Sequence, residues 1–183
     1  GAHLRAGFGG GFGRALGAGD ALPVGPDDGG APRGRWRIDP RLLPRYSADA
    51  EVRLIPRDGF APDGGKTGWF KVSPKSDRMG LRLEDPLPPG EGAANLASAP
   101  VAPGVVQVPP DGRPIVLLAD AQTIGGYPQI GHVISADLPA LARALPGTDI
   151  RFREVTLDEA RSAWCELHHE LDLLQTGLLL LPR

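Results

Sequence analysis

The 183 residues suit one large domain or two small ones, and a chain of this length buries roughly 70% of the surface its unfolded form exposes. Twenty Lys and Arg against 22 Asp and Glu leave a formal net charge of −2, which supplies no electrostatic footprint for nucleic acid or a membrane surface. A single cysteine, Cys165, excludes an internal disulfide, and no apolar run nears the ~20 residues of a membrane span, so a cytoplasmic chain with neither signal peptide nor span is expected.

The chain contains 26 glycines and 20 prolines, a share near that of disordered segments. They punctuate short apolar runs instead of forming a tract, which predicts many turns and short strands. Gly7 to Gly13 reads Gly-Phe-Gly-Gly-Gly-Phe-Gly between Arg5 and Arg14. Such a loop lets backbone amides, at Gly9 and Gly10, approach an anion beside positive charge. No Gly-Lys-Ser/Thr follows and no clear strand precedes, so it is neither a P-loop nor a dinucleotide fingerprint. A loop that packs two phenylalanines is the competing reading. Ala18 to Val24 reads as a turn into a short strand, and residues 26–35 as a Gly/Pro-rich connection.

Alternating charged and apolar residues from Ala50 to Pro56 predict a half-buried strand, Asp58 to Gly68 a loop, and Trp69 to Ser73 a further strand. Asp77-Arg78 then precedes the alternating Leu81 to Leu83. The two charges either pair to fix their loop, or Arg78 presents a fork to a carboxylate or phosphate. Residues 85–103 form a second Gly/Pro-rich connection. Val105 to Val108 and Pro114 to Leu118 flank the turn Pro109 to Gly112, which predicts a hairpin. The run ends on Ala119-Asp120, Gln122 to Pro128 is a polar, glycine-bearing loop, and Ile130 to Ile134 opens another strand.

Asp137 is placed to cap a short helix over Leu138 to Leu145, with Pro139 in its first turn and Pro146-Gly147 as its stop. Asp149 to Val155 alternates strictly, as a strand with one wet face does. Thr156 and Glu159 form a capping box ahead of Leu157, Ala160, Trp164, Leu167, Leu171 and Leu174, whose spacing predicts the longest helix. Thr176-Gly177 ends it and leaves Leu178 to Leu181 as an apolar tail.

Chemistry concentrates between positions 105 and 128. Asp120 closes an apolar run, where burial would raise its pKa and a neighbouring arginine would lower it, as proton transfer requires; a turn-forming Asx residue is the plainer role. Gln122 supplies an amide able to orient a carbonyl or lactam. Gly125 and Gly126 permit a close backbone approach, and Tyr127 offers a ring face and a hydroxyl. Gln107, between valines, either reaches a site or satisfies an interior partner. His168 and His169 point to different sides of a helix, Cys165 lacks further ligands and reads as a packing residue, and no His-Glu-x-x-His spacing exists, so no metal is expected. No serine or cysteine sits in a nucleophile elbow.

Four ordered blocks carry a resemblance: Leu4 to Gly10 through Leu16, Val72 to Leu83, Val105 to Pro128, and Val133 to Leu138. Together they resemble the family of the 5-oxoprolinase C subunit, also known as the allophanate hydrolase subunit 2 or KipA family, which is biotin-dependent carboxyltransferase-like. The resemblance implies a cyclophilin-like antiparallel β-barrel with a short and a longer C-terminal helix. Residues 1–183 would be the C-terminal part of one family domain, about two-thirds of it, with a β-rich portion upstream. It further implies an ATP-dependent lactam hydrolase that opens 5-oxoproline to glutamate and acts only with partner subunits, namely the KipI-like B subunit and the A subunit. In that setting Asp120 and Gln122 are the expected catalytic residues, Arg78, Gln107, Gly125, Gly126 and Tyr127 the substrate-binding ones, and Arg5, Gly9 and Gly10 the anion-binding ones. ATP would be bound with the partner subunits, and no Ala-Met-Lys-Met sequence attaches biotin to this chain. The family also contains carboxyltransferase parts of urea carboxylase and regulatory partners of KipI-like proteins.

Overall fold

In the computed structural model the described residues are 2–3, 8–9, 14, 16–26, 37–40, 49–57, 69–87 and 97–180. They divide into two units, residues 1–36 with 183, and residues 37–182. In the first unit, β1 (Ala2–His3) pairs antiparallel with β2 (Phe8–Gly9). Beyond it Asp20 folds back on the turn Gly17 to Asp20, accepting from Gly17 N at 2.7 Å and from both Nη atoms of Arg14 at 2.7 Å. The Arg14 guanidinium, then the Gly17 N–H, hold the Asp20 carboxyl below the usual carboxylate range. Ala21 to Val24 is not a strand as expected: Leu22 and Val24 stand exposed and gain nothing by pairing.

The second unit is built on one seven-stranded sheet. Its strands are β3 (Ala50–Pro56), β4 (Phe70–Lys71), β5 (Gly80–Arg82), β7 (Val105–Gln107), β8 (Ile115–Leu117), β10 (Gln129–Val133) and β11 (Asp149–Glu154), in the order β4-β11-β3-β10-β7-β8-β5. A separate ribbon pairs β6 (Ala99–Pro100) with β9 (Ile124–Gly125). The expected hairpin is present, with Val106 opposite Val116, and its turn is closed by Gly112 N donating to Pro109 O at 2.9 Å. Gly112 has φ +75°, a conformation in which a side chain would be strained.

The sheet curls until its edges meet. Ser73 N donates to Arg82 O at 2.8 Å and Glu84 N to Lys71 O at 2.9 Å, bridging Val72 to Leu83 between the outermost strands. The sheet is mixed, not purely antiparallel, because β11 runs parallel to β3, with Ile150 opposite Ala50 and Glu154 opposite Leu54. Parallel neighbours need a long crossover, here the whole segment between Arg57 and Thr148. Val52, Leu54, Val72, Val106, Val116 and Ile150 point inward at zero exposure and form the core.

A 3₁₀ turn over Ser135–Asp137 leads into α1 (Leu138–Ala142), which buries Leu141. Asp137 does not cap this helix. Its carboxylate accepts instead from Arg53 N at 2.7 Å, Arg53 Nε at 3.0 Å and Arg53 Nη2 at 2.6 Å. A bidentate, charge-assisted partner outcompetes one backbone amide, and the helix stops at Ala142, short of Leu145. The second helix, α2 (Leu157–Leu179), begins on the expected capping box: Glu159 N donates to Thr156 Oγ1 at 3.2 Å and Thr156 N to Glu159 Oε2 at 2.7 Å. It runs through Gly177, a residue that costs a helix about 1 kcal/mol without ending it. Leu178 and Leu179 are thus its last turn, not a tail. Among the described residues no helix is long and apolar enough to cross a membrane.

Candidate functional site

The β5–β8 pairing continues past both strands and sets the site's first half. Leu118 N donates to Met79 O at 3.0 Å and Asp120 N to Arg78 O at 3.2 Å, which places Arg78 beside Asp120. Their side chains pair, Arg78 Nε to Asp120 Oδ2, at 3.2 Å. Asp77 does not pair with Arg78. Its Oδ1 accepts from Met79 N at 2.9 Å and Gly80 N at 3.2 Å, building the tight turn that presents Arg78. Gly80 must lack a side chain, since a Cβ there would lie 2.9 Å from Ile115 Cγ2. The expected burial of Asp120 is not found. The strand ends at Leu117, three residues before it, and the side chain is 47% exposed, with Arg78 at 73%. The exposed guanidinium, with Nε 3.2 Å from Asp120 Oδ2, carries five N–H donors in all, enough to serve an anionic group as well.

The second half is the segment from Gln122 to Tyr127. Gln122 is exposed, beyond a turn closed by Ala121 N donating to Leu118 O at 3.0 Å. The β6–β9 ribbon, which falls inside an expected connection and an expected loop, pins the segment through Ala99 opposite Gly125. Gln129 Nε2 secures the ribbon by donating to Pro100 O at 3.3 Å. Gln107, 1% exposed, turns its amide to this segment and donates to Tyr127 O at 3.5 Å. A Cβ on Gly125 would come within 2.6 Å of that amide nitrogen. Tyr127 is 42% exposed and Gly126 half-buried. The fold therefore groups the expected residues in two sets, Arg78 with Asp120, and Gln107 with Gly125 and Tyr127. Arg5 and Gly10 lie outside the described residues, and Gly9 lies in β2.

Two grooves lie elsewhere on the second unit. One of about 340 Å³ runs between β10 and the start of α2, lined by His132, Ile134, Leu157, Trp164 and Cys165 among others. The other, of about 310 Å³, is lined by Arg57, Val105, Gln129 and Gly131. His132 borders both, held with Nε2 2.9 Å from Pro103 O and its ring against Gly104. Its position between valine and glycine in an apolar strand gives no signal that it edges two grooves. Cys165 is exposed on α2 at the edge of the first groove, not packed inside. Among the described residues no cluster of His, Cys, Asp and Glu could hold a metal ion.

Comparison with known proteins gives these features a context. Residues 1–154 match the family described as carboxyltransferase domain, subdomain A and B. The chain is 37% identical over 163 residues to the 5-oxoprolinase C subunit of Haemophilus influenzae, covering 86% of this chain and 50% of that protein. It is 38% identical over 166 residues to the 5-oxoprolinase C subunit of Escherichia coli, covering 87% of this chain and 52% of that one. The chain thus spans about half the length of the curated relatives it matches. Among solved structures it is similar in fold to the urea carboxylase of Kluyveromyces lactis, with a TM-score of 0.60 at 22% identity, over 72% of this chain and 14% of that one.

Proposed function

The chain belongs to the family of the carboxyltransferase domain, subdomain A and B, and from that membership we propose that it works as part of the C subunit of a 5-oxoprolinase. The observation that carries this reading is the identity of 37% and 38% to two proteins of that name, spread over nearly the whole chain. The fold of the second unit belongs with cyclophilin-like barrels in this reading, the mixed sheet being the curled wall on which the site is mounted. The enzyme is cytoplasmic, and activity requires its companions, the KipI-like B subunit and the A subunit.

The reaction phosphorylates a cyclic lactam at the expense of ATP and opens it with water to give glutamate. Five tasks follow for this chain's residues. Arg78 holds the substrate carboxylate through the guanidinium donors that Asp120 leaves unused. Gln122 orients the lactam carbonyl, and Asp120 accepts the proton of the attacking water, a role that positions it within reach of solvent. Gln107 acts as a positioning residue, fixing Gly125, Gly126 and Tyr127 as the wall against which the ring rests. Arg5, Gly9 and Gly10 receive the phosphate. ATP is bound with the partner subunits, and the chain's own part in its use is limited to that anion site.

The test is to supply 5-oxoproline and ATP to the protein assembled with its companion subunits and to follow glutamate. Release that depends on this chain supports the reading. An assembled complex that forms none, yet transfers carboxyl from carboxybiotin to urea, would replace it.

A further inference from the structure

The two grooves of the second unit meet at Ile55 and His132, which line both. Strand pairing brings this about. His132 stands opposite Ile55 of β3 on one side and Val105 of β7 on the other, so the three side chains share the outer face of the sheet. Arg57, two residues past Ile55, continues that face one way, and Ile134, two past His132, continues it the other way to pack under α2. The bulge in β10 adds Gln129. Ile130 belongs to the core and a Cβ on Gly131 would lie 2.9 Å from Leu54 Cγ, so two successive residues face inward and Gln129 returns to the side of His132.

The polar end suits an anion. Among the described residues no group pairs with the exposed Arg57 guanidinium, and neither groove is lined by an Asp or Glu. His132 is set in one tautomer. Pro103 O can only accept, so Nε2, 2.9 Å away, carries the hydrogen, and Nδ1, on the ring edge away from Gly104, accepts in the neutral ring. Beyond His132 the surface turns apolar between Ile134, Leu157 and Trp164, whose ring lies 4.0 Å from that of His168. Arg161 at this end already faces Asp158 at 3.6 Å. The one unanswered guanidinium matches one negative charge. We infer that the two grooves form a single cleft that binds a small monocarboxylate, with its carboxylate on Arg57, an N–H or O–H on His132 Nδ1 and an apolar body against Trp164. This cleft is separate from the Arg78 and Asp120 site and does not depend on the reaction proposed there.

The probe is hippurate, which carries a carboxylate, an amide N–H and a phenyl ring in sequence, titrated calorimetrically into the intact chain. Hippuramide, its uncharged analogue, and acetate, which lacks the apolar body, should each bind at least about tenfold more weakly. Arg57→Met and Trp164→Ala should each weaken hippurate at least about tenfold, and His132→Phe, which keeps a ring but not the acceptor, about threefold. Arg57 and His132 are exposed, and circular dichroism checks that the fold is kept. Arg78→Met, at the other site, should leave the affinity unchanged. Hippuramide or acetate binding as tightly as hippurate, affinity indifferent to Arg57→Met, or no binding at millimolar hippurate overturns the inference. So does binding lost in Arg78→Met, which would put the carboxylate at the other site.

Discussion

The buried amide of Gln107 lies so close to the backbone of Gly125 that a Cβ there would stand 2.6 Å from Nε2, and the amide would have to move to admit it. Gly125→Ala should therefore push β9 away from the sheet and destabilise the domain by about 1–3 kcal/mol, the range for overpacking. Adding Gln107→Ala to Gly125→Ala should return part of that loss, a coupling of about 0.5 kcal/mol or more in a double-mutant cycle by urea unfolding. Strict additivity would separate the two residues.

Arg78 and Asp120 make an exposed ion pair, and such pairs contribute about 0–1 kcal/mol. Arg78→Met should leave the unfolding midpoint nearly unchanged while raising KM for the substrate carboxylate. Loss of stability with KM intact would make the pair a structural tie.

Arg53 and Asp137 are the contrasting case, two-thirds or more buried with three hydrogen bonds between them. Asp137→Ala should lower stability by about 1.5–3 kcal/mol or more, since the guanidinium is left enclosed without its partner. Denaturant melts of wild type and variant measure this directly.

The capping box gives α2 a pH dependence. The backbone N–H of Thr156, then its hydroxyl, hold the Glu159 carboxyl below the usual carboxylate range, with Arg153 adding to the effect. In the window between the lowered folded value and the ordinary one, near pH 4, the unfolded chain binds more protons, so stability rises with pH. The contribution is complete above the unfolded value and disappears as pH falls through the folded one. Glu159→Gln should flatten this part of the stability profile. Thr156→Ala should cost about 1 kcal/mol at neutral pH.

Much of the fold follows from local chemistry. Pro109 to Gly112 announces its hairpin, Ala50 to Pro56 alternates as a strand must, and Thr156 with Glu159 marks where the long helix starts. What is not local is not legible. Strands of two residues such as Ile124–Gly125 have no period, and the parallel register of β11 on β3 joins segments about a hundred positions apart. Asp137 has a capping residue's surroundings in sequence, but Arg53, 84 positions earlier, takes its carboxylate. The site divides the same way. Asp120 and Arg78 each stand out by residue type, whereas their pairing depends on a backbone bond from Asp120 N to Arg78 O, one residue out of the register of β5 on β8.

The most direct measurement is glutamate release from 5-oxoproline and ATP by the complex of this protein with the proposed companion subunits, comparing wild type with Asp120→Asn. The account predicts that the variant assembles normally and turns over at least about a hundredfold more slowly, the scale of a lost general base. Unchanged turnover in an intact complex would contradict it and remove Asp120 from the reaction.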